Sequence, residues 1–70
     1  MADTTNNITL TEKETVILKM IAEGKTSPDI AKALCLSLPT IKWYRKRLKD
    51  KFGCSSTVML IRTAMEWHLL

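Results

Sequence analysis

The chain has 70 residues, 46% of them apolar and 26% charged, with a formal net charge of +4. So short a chain makes one small domain with a modest core and no deep substrate cleft, and its composition argues against disorder along most of its length. Cys35 and Cys54 are too widely spaced for a CxxC metal or redox motif, and the single histidine, His68, completes no ligand set with them.

No apolar run approaches the ~20 residues of a membrane-crossing helix, and the polar start MADTTNN has no hydrophobic segment behind it. A cytoplasmic setting with both thiols reduced is the expectation. Residues 1–9 read as a flexible arm or linker, and residues 10–70 as the folded domain.

Helix one is expected to start at Thr11, because TEKE places Glu14 three residues on and so forms a capping box. Ile17, Leu18, Met20 and Ile21 share one side, and Gly24 supplies a left-handed stop. Ser27 is the expected cap of helix two, with Pro28 at its first position and Asp29 in its first turn; this helix runs to about Leu34 and turns Ile30, Ala31 and Leu34 inward. After Cys35, Leu36 and Ser37, with Ser37 as cap, helix three spans roughly 38–52 and ends at Gly53. Ser55 or Ser56 caps a fourth helix that is expected to reach the C-terminus. No alternating strand pattern occurs, so the fold class is all-α: a compact four-helix domain with a central helix-turn-helix.

The segment PTIKWYRKRLKDKF, residues 39–52, carries six Lys/Arg against one Asp, whereas the remainder carries five against six acidic residues. Such local basicity is the electrostatic footprint of a partner that is a polyanion. On a helical wheel Tyr44, Leu48 and Phe52 fall within about 60° of Ile41, and the four form a core stripe. Lys42, Trp43, Lys46, Arg47, Lys49 and Asp50 occupy the opposite arc, and Arg45 lies at the stripe's border. A merely solvated helix explains the charges but not Trp43, and a membrane-surface helix needs a broader free apolar face. Insertion into the major groove of DNA explains both, since lysines reach guanine edges or phosphates and an aromatic face reaches thymine methyls or sugar. The short helix two, three-residue turn and longer helix three have the proportions of a helix-turn-helix.

LTEKE, IAEGKTSPDIAKAL, SLPTIKWY and the closing KFG occur in the order and at the spacing of one family. Residues 10–70 resemble the LuxR-type (GerE-like) helix-turn-helix domain, usually the output domain of bacterial transcription regulators, including two-component response regulators. The resemblance implies a four-helix domain that binds double-stranded DNA as a homodimer on paired half-sites. By position it implies that Lys42, Trp43 and Lys46 face the groove, and that Thr40 and residues around Ser27 lie near phosphate. Arg45, Arg47 and Lys49 complete the expected DNA-binding set. Tyr44 replaces a frequent His, Cys35 and His68 stand where Gly is common, and Pro39 replaces a residue that is often polar or basic.

In helix four, Val58, Ile61, Met65 and Leu69 form one apolar stripe, and Leu60, Ala64 and Trp67 another. Either the core wraps this helix, or Met59, Thr63, Trp67 and Leu70 form a two-fold dimer patch. An isolated domain can remain monomeric off DNA. No catalytic residue, cofactor or metal is expected: there is no phosphate loop and no nucleophile–base pair, and the capping box accounts for Glu14 beside Glu12. The rival to DNA reading is an interaction module that docks a protein such as RNA polymerase.

Overall fold

The computed structural model describes residues 9–70; of the expected arm, residues 1–8 lie outside that range. Four helices follow in order, α1 (Glu12–Ala22), α2 (Ser27–Leu34), α3 (Leu38–Phe52) and α4 (Thr57–Glu66). Among the described residues there is no strand and no helix long and apolar enough to cross a membrane. The expected all-α fold is therefore present.

Each helix begins with a hydroxyl side chain that accepts a backbone N–H left unpaired by the first turn. Thr11 caps α1, with its Oγ1 accepting from the Glu14 N–H at 3.1 Å while Glu14 Oε1 accepts from the Thr11 N–H at 2.9 Å. The cap of α2 is Thr26, one residue earlier than the sequence reading placed it. Thr26 and Asp29 form a second reciprocal box, and Ser27 becomes the first helical residue. Its T-x-x-D spacing supplies two hydrogen bonds, where Ser27 would supply one. Ser37 and Ser56 cap α3 and α4.

All four helices end in the same way. A residue with positive φ, Gly24 (89°), Cys35 (57°), Gly53 (67°) or His68 (58°), follows the last turn. The next N–H then reaches back five residues: Lys25 to Met20, Leu36 to Ala31, Cys54 to Lys49 and Leu69 to Ala64, at 2.8–3.0 Å. These are Schellman closures, and two of them place a Cβ-bearing residue in the left-handed region. The closure at His68 also corrects the expected extent of α4, which stops at Glu66 instead of reaching the C-terminus. Apolar patterning continues beyond it because Leu69 still packs against the core from a non-helical backbone.

Ile17, Leu18, Ile21, Ile30, Ala31, Ile41, Leu48, Phe52, Leu60 and Ala64 make the core, and α3 packs against each of the other three helices. Of the expected α3 stripe, Ile41, Leu48 and Phe52 are buried and Tyr44 is half-buried against the core. On α4 it is Leu60 and Ala64 that are buried, with Ile61, Trp67 and Leu69 packed beside them, whereas Val58 and Met65 of the other stripe face outward. Trp67 stacks on Phe52 with ring centroids 5.6 Å apart.

Among the described residues one charged side chain is buried with this core: Glu14 is 1% exposed. Its Oε2 accepts from Arg47 Nε at 2.9 Å and its Oε1 from Lys51 Nζ at 2.8 Å. Burial pushes the carboxyl upward, but hydrogen bonds from Lys51, the Thr11 backbone and Arg47 outweigh it and hold the pKa at about 2. A folded-state pKa below the unfolded value stabilises the fold above the unfolded pKa, and that contribution is lost as pH falls through the folded one.

Glu14→Gln is accordingly expected to lower neutral-pH stability by on the order of 3 kcal/mol. It should also flatten the loss of stability expected of wild type between pH 4.5 and about 2; urea unfolding across that range measures both. Cys35→Gly relieves a left-handed backbone at the expense of a more flexible unfolded chain, and should raise the urea midpoint by the equivalent of roughly 0.5–1 kcal/mol.

Candidate nucleic-acid interface

The site is built on α3 because its inner stripe leaves one outward arc. Residues 39, 42, 43, 46 and 50 recur at helical spacing and share about 100° of that arc. Lys42, Trp43 and Lys46 are all exposed, with Trp43 54% exposed, so the structure brings the three expected groove-facing residues to one surface. Trp43, Lys46, Arg47, Asp50 and Lys51 line an open depression of about 470 Å³.

The remaining cations are not equivalent. Arg45 is half-buried, and its Nη2 donates to Thr57 Oγ1 at 3.1 Å, which ties α3 to the start of α4. Arg47 is anchored to Glu14, and its guanidinium carbon lies 5.3 Å from the Trp43 ring centroid, a cation–π contact. Trp43 also meets Tyr44 edge to face, with centroids 4.9 Å apart and planes at 79°. Lys46 Nζ stands 3.4 Å from Asp50 Oδ2, but both side chains are exposed, so this i,i+4 pair is weak and readily exchanged for another anion. Lys49 is half-buried.

At the amino end of α3, Thr40 is half-buried, with its Oγ1 2.8 Å from Ser37 Oγ. Ser27 opens α2, where the helix dipole and unpaired N–H groups favour an anion. The turn between the helices consists of left-handed Cys35, then Leu36 and Ser37, and Leu36 packs against the core.

Glu14, Lys51, Tyr44 and Asp50 join the site's scaffold without having been read as part of it. Lys46–Asp50 and Trp43–Arg47 carry the i,i+4 signature of neighbours on a helix and were legible in principle. The Glu14 contacts join residues 33 and 37 positions apart and have no local signal. Among the described residues no cluster of His, Cys, Asp and Glu could hold a metal ion.

Two helices joined by a three-residue turn, the second presenting lysines and an exposed tryptophan, define a helix-turn-helix domain. The chain belongs to the family of bacterial regulatory proteins, luxR family, whose profile matches residues 8–64. This is a family of DNA-binding transcription regulators and not a class of enzymes. The chain is 41% identical over 56 residues to the response regulatory protein YgeK of Escherichia coli (strain K12), covering 80% of this chain and 38% of that protein. It is 35% identical over 68 residues to the virulence factors putative positive transcription regulator BvgA of Bordetella pertussis, covering 97% and 32%. With the transcriptional activator protein ExaE of Pseudomonas putida it shares 38% identity over 61 residues, covering 87% and 28%. The chain thus spans about a third of the length of these relatives.

Proposed function

We propose that residues 10–70 are the sequence-reading domain of a bacterial transcription regulator, with α3 inserted in the major groove of double-stranded DNA. The observation that carries this reading is the exposure of Trp43 between Lys42 and Lys46 on the outward face of the second helix of a helix-turn-helix. Lys42, Trp43 and Lys46 face the groove, where Lys42 and Trp43 address base edges and Lys46 a phosphate at the groove wall, while Arg45, Arg47, Lys49, Thr40 and the helix start at Ser27 address the other phosphates. The names of the relatives, response regulatory protein and transcriptional activator among them, support a cytoplasmic transcription regulator.

Two copies occupy paired half-sites, joined by Met59 and Thr63 of α4 and by Trp67 and Leu70, which follow it. Met59 and Leu70 are exposed, and Thr63 and Trp67 are half-buried with an outer surface to offer. Arg62 and Glu66 border Met59 and Thr63 and bring opposite charges one turn apart, which suits a patch that must complement itself about a two-fold axis. A contact this small is expected to act on DNA and to leave the free domain monomeric.

Selection of duplexes from a random pool tests the reading directly. It should return paired half-sites about one helical turn apart; a pool that gains no sequence preference, with RNA polymerase or another protein captured instead, would establish the interaction-module alternative. Lys46→Ala should weaken binding to all duplexes alike and reduce the slope of log K against log salt by about 0.9, the signature of one lost phosphate contact. Trp43→Ala should alter which sequences are selected. Met59→Asp should leave affinity for a single half-site in place and cut cooperative filling of the paired site by on the order of tenfold in a mobility-shift titration.

A further inference from the structure

An exposed tryptophan on a helix ordinarily samples several rotamers, and ordering it on binding has an entropic cost. Trp43 is restrained on two sides, by its T-shaped contact with Tyr44 and by the Arg47 guanidinium. Tyr44 is held by its own packing against the core. Arg47, a long side chain 47% exposed, would offer little restraint if it were free. It is not free, because its Nε donates to Glu14 Oε2 at 2.9 Å. Glu14 in turn is buried and immobilised by the Thr11 N–H and by Lys51. Among the described residues the Nη groups of Arg47 make no hydrogen bond, so the guanidinium is fixed by one edge and lies over the indole.

We infer that Glu14 is a positioning residue for sequence reading: through Arg47 it sets the orientation of Trp43, although it lies on another helix and faces the interior. The inference rests on the proposed reading of DNA by α3 and adds the device that preorganises its aromatic contact. Preordering one such side chain corresponds to a two- to tenfold gain in affinity, roughly, for the duplex that fits it. The same gain is absent for duplexes that need another Trp43 rotamer, so the effect falls on discrimination as well as on affinity.

The test uses the full chain and follows the indole Nε1–H resonance of Trp43, identified by its loss in Trp43→Phe. Glu14→Gln and Arg47→Gln should both shift and broaden it. Lys51→Met removes the other partner of Glu14 and lowers stability, but should leave that resonance in place. Against the duplex selected by wild type and single-pair variants of it, Glu14→Gln and Arg47→Gln should bind the selected duplex about two- to tenfold more weakly and narrow the preference for it. Lys51→Met should keep the ratio. A folded Glu14→Gln protein with an unmoved Trp43 resonance or an unchanged ratio overturns the inference, and so does an equal shift in Lys51→Met, which would signify general loosening. Should Glu14→Gln not fold, Glu14→Asp decides, because it keeps the charge but draws it back from Arg47 by one methylene: a shifted Trp43 resonance with a narrowed ratio supports the inference, and an unmoved resonance or an unchanged ratio overturns it. If wild type selects no sequence at all, the proposed function fails separately, while the resonances still decide whether Glu14 orients Trp43.

Discussion

A carboxylate removed from water must be met by cations and hydrogen-bond donors or it cannot stay ionised, and in this domain that constraint decides how the basic helix α3 is mounted. Glu14 sits at the third position of α1, where its capping role already fixes its backbone. From there it accepts Arg47 and Lys51, which stand one turn apart on α3. These two contacts and the apolar stripe of Ile41, Leu48 and Phe52 specify the same rotation of α3 about its axis. Apolar packing alone tolerates some sliding and rolling; two directional ion pairs to one buried group do not. The outward arc with Lys42, Trp43 and Lys46 is therefore a consequence of what α3 must present inward.

The basic helix consequently sorts its charges. Arg45 bonds to α4, Arg47 and Lys51 bond to α1, and Lys42 and Lys46 stand outermost, with only the exposed Asp50 beside Lys46. The excess of positive charge over residues 39–52 is thus partly structural. On the proposed reading, the anchored arginines offer their remaining N–H groups to phosphate at little further ordering cost, and the exposed Lys42 and Lys46 contribute charge at the far edge of the surface.

Much of this fold was legible in the sequence because helix boundaries are written locally. Thr11 with Glu14, Ser37 with Pro39 and the stops at Gly24 and Gly53 each act within a few residues of themselves, and the structure places them where their chemistry predicts. The reading slipped where two local signals competed: Ser27-Pro28 resembles a cap and a first position, yet Thr26 with Asp29 satisfies one more backbone group. It also slipped at the end of α4, where apolar residues continue past Glu66 while the backbone does not. Glu14 was the larger omission at the site. Its capping role was visible and sufficient to account for it, whereas its partners lie beyond any local window and become neighbours only when α1 and α3 pack.

The stacked pair of Phe52 and Trp67 gives the domain two indoles in contrasting surroundings. Trp67, pressed against the ring that closes α3, senses whether α4 is docked; Trp43, in water beside a guanidinium, senses what approaches the opposite surface. Their emission should therefore separate by wavelength, the sheltered ring toward the blue and the exposed one toward the red. The chain so carries a built-in optical label for its own folding and, on the proposed reading of α3, another for its ligand, without any dye attached.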